Sequence, residues 1–157
     1  MSRQAAIEYL KKFGMDDRVV VMEGSAATVE SAAVVVGCEK GQIAKSLSYI
    51  VDGAPVVVLV GGDRRVDNAK FKAVFGKRPQ MIKFEEVEAL TGHAPGGVCP
   101  FGLKDGVRVY IDESLRGLDV VYPAAGDEFS VAKFTLEELE RITGYTAYVD
   151  VSKTIAD

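Results

Sequence analysis

The stretch Ile43-Ala44-Lys45-Ser46-Leu47-Ser48-Tyr49-Ile50-Val51-Asp52-Gly53-Ala54-Pro55-Val56-Val57-Val58-Leu59-Val60, followed by Gly61-Gly62-Asp63, spells two strands and the turn between them. Side chains of a strand alternate between its faces. Here Ile43, Leu47, Tyr49 and Val51 share one face, and Ala44, Ser46, Ser48 and Ile50 the other. Asp52-Gly53 suits a two-residue hairpin turn, so Pro55 to Val60 is expected to return antiparallel beside the first strand. Gly61-Gly62-Asp63 breaks it. This hairpin is expected at the centre of the fold. Lys45 is the exception in the pattern, because it falls on the face of Ile43 and Leu47. An ammonium there requires an anion, a carbonyl cluster or water. The alternative is a stem lying on apolar surface with its head in solvent.

Outward from the hairpin, the chain reads as short helices and strands. A helix is expected from about Ser2 to Phe13, ended by Gly14, and a β-branched strand over Arg18 to Met22. Thr28 caps a helix that runs through Val36 to Gly37, with Glu30 in its first turn. Beyond the hairpin, Asp67 caps a basic helix carrying Ala69, Phe71, Val74 and Phe75 before Gly76. Another short helix spans Lys83 to Leu90. Val107 to Ile111 and Asp119 to Tyr122 read as strands. Thr135 to Glu138 fits a capping box ahead of a helix closed by Gly144, and Tyr145 to Val151 reads as a last strand. No repeat, heptad run or interdomain linker is visible, so residues 1–157 are expected to form one mixed α and β domain.

Between the helix at Lys83 to Leu90 and the strand at Val107 lies Gly92-His93-Ala94-Pro95-Gly96-Gly97-Val98-Cys99-Pro100-Phe101-Gly102. It holds four glycines and two prolines in eleven residues. Such a backbone is stiff, and its amides can approach a ligand closely enough to hold an oxyanion or phosphate. The alternative is a surface connection, although Val98 and Phe101 point to a loop packed onto something.

Several function classes fall away on composition. The apolar runs Ala32 to Val36 and Ala54 to Val60 are far shorter than the roughly 20 residues that span a bilayer. The N-terminus lacks a signal-peptide pattern, so a cytoplasmic address is expected. Two cysteines, Cys38 and Cys99, and one histidine, His93, give no disulfide framework and no metal-binding spacing. Neither a phosphate-loop run nor a dinucleotide fingerprint is present. His93 and Cys99 lie six residues apart on one loop with no third partner assignable, which argues against a thiol hydrolase. The net charge of −4 argues against general affinity for nucleic acid, yet residues 63–83 carry seven basic and two acidic side chains, a local +5. That segment is either a solvated face or a basic surface for phosphates.

Taken in order, Thr28 with the helix ending at Gly37, Ile43-Ala44-Lys45-Ser46-Leu47, Gly61-Gly62-Asp63 and the loop Gly92 to Gly102 resemble the YbaK family of aminoacyl-tRNA deacylases, related to the editing domain of bacterial prolyl-tRNA synthetase. The resemblance spans nearly the whole chain, and the glycine-proline loop is its most specific part. It implies a curved, mostly antiparallel, barrel-like sheet flanked by helices, and hydrolysis of the ester joining a wrong amino acid to tRNA, with neither metal nor cofactor. It implies that Lys45 contacts the terminal adenosine region and that the loop, through Gly96, positions the aminoacyl ester by its backbone. Thr28, Ser46, Asp63, Gly92, His93, Pro95, Gly97, Val98 and Cys99 are then expected to contact substrate, and Arg64, Arg65, Lys70 and Lys72 the tRNA phosphates. The family often has an aromatic residue in place of His93 and a serine in place of Cys99, so the pocket lining is expected to differ. His93 is expected to shape the pocket ahead of donating a hydrogen bond or acting as base, and Asp63 either orients Lys45 or ends a strand. Partners implied are the acceptor end of a mischarged tRNA, of the alanyl- or cysteinyl-tRNA(Pro) type, and prolyl-tRNA synthetase, with no DNA and no membrane. A ribose hydroxyl of the tRNA is expected to supply the missing base. The rival readings are a non-catalytic tRNA-binding module of the same fold and a thiol enzyme using Cys99.

Overall fold

A computed structural model describes residues 2–24 and 28–155. Its helices are α1 (Ser2–Lys11), α2 (Val29–Val36), α3 (Asn68–Phe75), α4 (Val87–Thr91) and α5 (Leu136–Thr143). Its strands are β1 (Val19–Val21), β2 (Ile43–Val51), β3 (Ala54–Gly61), β4 (Arg64–Val66), β5 (Arg108–Asp112), β6 (Val120–Pro123), β7 (Ser130–Ala132), β8 (Phe134–Thr135), β9 (Ala147–Val149) and β10 (Ser152–Thr154).

The expected hairpin is central. β2 and β3 pair antiparallel with Lys45 opposite Val60, around a turn in which Asp52 and Gly53 take φ of 51° and 79°. A curled six-stranded half-barrel sheet extends from this pair in the order β8-β6-β2-β3-β5-β9. Two antiparallel ribbons, β1 with β7 and β4 with β10, complete the strands. Antiparallel pairing predominates over the described residues as a whole. Within the six-stranded sheet, however, β2 with β6, β3 with β5 and β5 with β9 are parallel. Parallel neighbours need long crossovers; α3 and α4 lie in the one from β3 to β5, and α5 in the one from β5 to β9.

The caps form as the sequence indicates. Thr28 accepts from the Ser31 amide at 3.1 Å, Asp67 from Lys70 at 3.0 Å and Thr135 from Glu138 at 3.1 Å. One expected strand forms only in part. Tyr145 to Val151 is shortened to β9 on the sheet edge, and the chain then leaves the sheet to pair as β10, beyond the expected strand, with β4. The cause is Asp112 at the end of β5, whose carboxylate accepts from Val151 N at 2.9 Å and Ser152 Oγ at 2.6 Å and draws the chain off the sheet.

Apolar side chains cover both faces of the sheet. Leu10 of α1, Leu139 and Ile142 of α5, Leu59, Phe101 and Phe134 are fully buried in one cluster. On the other face, Val58, Val60 and Val151 pack with Phe71 of α3, whose ring lies 4.9 Å from Tyr49 and 4.6 Å from Phe75. With both faces filled, the hairpin forms a rigid support for Lys45.

Candidate functional site

A gap along the outer edge of β2 defines the site. Ile43 and Ala44 pair with β6 there. Further along, Ile82 N donates to Ser48 O at 3.2 Å and Ile50 N to Gln80 O at 2.8 Å. Among the described residues no strand covers Lys45 to Leu47 between these two contacts. Backbone groups of a strand point alternately to its two edges. Ser48 and Ile50 direct theirs outward, so Ser46 does so too. A cavity of about 520 Å³ occupies the gap. Its wall includes Lys45 and Ser46 of β2, Thr28 and Ala32 at the start of α2, Pro95, Gly96 and Val98 of the glycine-proline loop, and Tyr122 and Ser130. The Ser46 hydroxyl is buried with no hydrogen-bond partner among the described residues.

Lys45 is half-buried, and its ammonium donates to the Arg64 carbonyl. Of the alternatives open from sequence, a carbonyl partner is the one found. Burial pulls its pKa below the ordinary lysine value, while the charges of Asp63 and Glu30 oppose that shift. The ammonium is therefore a poorly solvated cation at the wall of a cavity, where an anionic or carbonyl oxygen is attracted most strongly.

The loop is held at two points by contacts that only glycine permits. A Cβ on Gly97 would lie 2.3 Å from the Gly126 carbonyl oxygen, and one on Gly102 would lie 2.8 Å from the Ala5 carbonyl oxygen of α1. Arg3 of α1 ties these two anchor points together through Asp127, at 2.6 Å. Pro95 and Gly96 form a wall shared by the Lys45 cavity and a second cavity of about 690 Å³, which Gly97, Arg3 and Asp127 line from the other side.

Five of the expected substrate contacts lie outside this cavity. His93 and Cys99 are fully buried behind the loop, where both meet the Phe101 carbonyl, His93 Nε2 at 2.6 Å and Cys99 Sγ at 3.4 Å. A carbonyl can only accept, so Nε2 carries the proton. Desolvation lowers the His93 pKa and pushes the Cys99 thiol up to about 12. Both side chains are fully buried and brace the loop from within. Gly92 ends α4 at φ 92° and packs beside Lys104, and Asp63 is exposed at the end of the hairpin. Gly97 faces the second cavity rather than the first. Cys99→Ala is expected to keep ester hydrolysis within a few-fold while costing about 1 kcal/mol of stability from lost packing. Comparing its hydrolysis rate and melting temperature with wild type checks this, and loss of turnover would reinstate a thiol mechanism.

The basic segment divides into two groups. Arg64 gives all three guanidinium nitrogens to β10, and Lys70 donates to Ser152 O at 2.9 Å and Asp150 at 3.1 Å. Both cations are engaged with partners inside the protein, although the Lys70 side chain stays 40% exposed. Arg65 and Lys72 are exposed. Sequence reasoning passed over Met81, Ile82, Phe84, Tyr122, Ser130 and Val131, all of which line the cavity. Met81 sits on a single-residue bridge, Ile82 in the extended stretch after it, Phe84 at the start of a short 3-10 turn, and Tyr122, Ser130 and Val131 in strands of three or four residues, all too short for any periodicity.

The chain belongs to the aminoacyl-tRNA editing domain family, whose pattern matches residues 23–142. It is 38% identical over 154 residues to the uncharacterised YwhH protein of Bacillus subtilis (strain 168), covering 98% of each. It is 33% identical over 101 residues to EbsC of Enterococcus faecalis (strain ATCC 700802 / V583), named as a candidate Cys-tRNA(Pro)/Cys-tRNA(Cys) deacylase, covering 63% of this chain and 62% of that one. The crystal structure of a candidate trans-editing enzyme for prolyl-tRNA synthetase superposes with a TM-score of 0.87 at 33% identity, covering 97% of both chains.

Proposed function

We propose that this protein is a free-standing deacylase that hydrolyses the ester of a mischarged tRNA, of the alanyl- or cysteinyl-tRNA(Pro) type, in the cavity between β2 and the glycine-proline loop. The observation that carries this reading is the composition of the cavity wall. Lys45, the outward backbone of Ser46 and the loop at Pro95-Gly96 converge on it, while among the described residues no carboxylate, imidazole or thiol lines it. Such a site can hold an anion and a strained carbonyl but has no proton acceptor of its own. A hydroxyl of the terminal ribose, beside the ester, supplies that function. It accepts a proton from a water molecule that attacks the carbonyl carbon and passes its own proton to the departing ester oxygen. The tetrahedral oxyanion is held by backbone donors of the loop, and the ester bond then breaks to leave the free amino acid and the ribose hydroxyl.

Lys45 binds the acceptor end from beneath. Phe84 and Met81 stand at the mouth of the cavity, 77% and 62% exposed, and offer a face on which the terminal adenine stacks. The exposed Arg65 and Lys72 meet the acceptor-stem phosphates. Charge reversal at both is expected to raise the tRNA concentration giving half-maximal rate several-fold while leaving the saturating rate within about twofold, as steady-state kinetics at two salt concentrations reads directly. A structural likeness to a candidate trans-editing enzyme supports work alongside prolyl-tRNA synthetase, on charged tRNA in the cytoplasm.

The test is amino-acid release from a panel of purified charged tRNAs, including alanyl-, cysteinyl- and prolyl-tRNA(Pro). Selective release from one mischarged species supports the reading and names the substrate. No release from any, with tRNA bound, would establish a binding module instead.

A further inference from the structure

Arg64 and Ser152 form the support of Lys45, an arrangement that no charge pattern in the sequence reveals. Three bonds spread from the Arg64 guanidinium onto β10: Nε to Ser152 Oγ at 3.1 Å, Nη1 to Thr154 Oγ1 at 2.9 Å and Nη2 to Ser152 O at 3.0 Å. The carbonyl of the same residue accepts the Lys45 ammonium. Ser152 is fully buried, and its hydroxyl, while accepting from Arg64, donates to Asp112 Oδ2 at 2.6 Å. Asp112 is also fully buried, at the end of β5 in the central sheet, and accepts from the amides of Ser114 and Val151, each at 2.9 Å.

These contacts form a continuous path from the sheet to the Lys45 ammonium. A ribbon of two three-residue strands has little stability of its own. The β4 and β10 pair therefore takes its position from what anchors it, and the buried Asp112 carboxylate is an anchor through both the Ser152 hydroxyl and the Val151 amide. We propose that Arg64, Ser152 and Asp112 are positioning residues for Lys45, and that Arg64 acts on the rate of hydrolysis rather than on tRNA phosphates. This rests on the proposed deacylase reading. Misplacement of a reacting group by about 1 Å costs up to ~10²-fold in rate, so loss of one link is expected to lower kcat roughly 10- to 100-fold with KM for tRNA nearly unchanged.

Two substitutions separate positioning from phosphate binding. Arg64→Lys keeps the positive charge but not the three-nitrogen fork, and Arg64→Met removes both. If Arg64 positions Lys45, the two variants lose kcat about equally. If it binds phosphate, Arg64→Lys restores most of the activity and Arg64→Met raises KM alone, which would overturn the inference. Ser152→Ala removes the link while Asp112 keeps its two amide donors, so the variant can fold even where an Asp112 substitution does not. The experiment measures kcat and KM for wild type, Lys45→Ala, Ser152→Ala, Arg64→Lys and Arg64→Met, together with the ¹⁵N signal and hydrogen exchange of the Lys45 ammonium in wild type, Ser152→Ala and Arg64→Met. Lowered kcat with faster exchange in the latter two is the expected result. Unchanged kcat and unchanged exchange in both would overturn the positioning role. Exchange that rises in these variants while wild type and Lys45→Ala release no amino acid would leave the positioning role standing and reject the deacylase reading alone.

Discussion

Replacing Lys45 by methionine or alanine is expected to abolish ester hydrolysis while the protein folds as before. The ammonium stands at the cavity wall, where one preorganised donor aimed at developing or bound negative charge is worth ~10²–10³ in rate. Its effect on stability runs the other way. Burial lowers the Lys45 pKa from the ordinary 10.5. The protonated form is therefore disfavoured in the folded state relative to the unfolded one, and below that ordinary value the group subtracts from stability, a penalty that fades as the pH rises towards it. Lys45→Met, which keeps the stem and removes the charge, is expected to melt at the wild-type temperature or above it. A deacylation assay and a thermal melt on the same preparation check both halves. Near wild-type turnover in Lys45→Met would contradict the assignment, and a large fall in melting temperature would show that the lysine serves the fold.

Gly97→Ala is expected to cost both stability and activity. The added Cβ would lie 2.3 Å from the Gly126 carbonyl oxygen, 2.9 Å from its carbon and 3.1 Å from Asp127 Cα. All three neighbours are backbone, so no flexible side chain can move aside. Either the loop or the turn at 126–127 must shift, an overpacking that costs about 1–3 kcal/mol. Because Pro95 and Gly96 form the cavity wall just upstream, the shift is passed to the site, and a fall in kcat of up to ~10²-fold is expected. Gly106→Ala is the control, since Gly106 takes a φ of 91° that strains any side chain but has nothing within 4 Å of its added Cβ and does not line the cavity. It should lose some stability and keep its kcat. Melting curves and saturating rates for the pair check the argument, and equal kcat in both would remove the glycine loop from the site.

Much of the fold was legible because local physics decided it. The alternation around Lys45, the Asp52-Gly53 turn and the caps at Thr28, Asp67 and Thr135 each depend on a few adjacent residues, and each forms as read. What escaped depended on distant partners. β4, β7 and β8 have two or three residues and exist only against strands elsewhere in the chain. The bend between β9 and β10 is imposed by Asp112, some forty residues away in sequence.

The site divides in the same way. Lys45 and the Pro95-Gly96 wall were visible, one as a charge out of pattern and the other as an unusual density of glycine and proline. His93 and Cys99 drew attention because they are chemically able residues on that loop, yet their side chains turn inward to the Phe101 carbonyl. Direction of this kind is set by packing, which spacing on a loop does not encode. Arg64 and Lys70 looked like phosphate ligands because a charge count does not show whether a cation has an internal partner.

The central claim is that the cavity between β2 and the loop breaks an ester rather than merely binding tRNA. It is tested most directly by mixing excess protein with labelled alanyl- or cysteinyl-tRNA(Pro) and following, in the same samples, tRNA retention and single-turnover release of amino acid, for wild type and Lys45→Ala. Release by wild type at least ~10²-fold faster than by Lys45→Ala is the expected result. Retained tRNA with its ester intact in wild type, or equal release by both proteins, would contradict it.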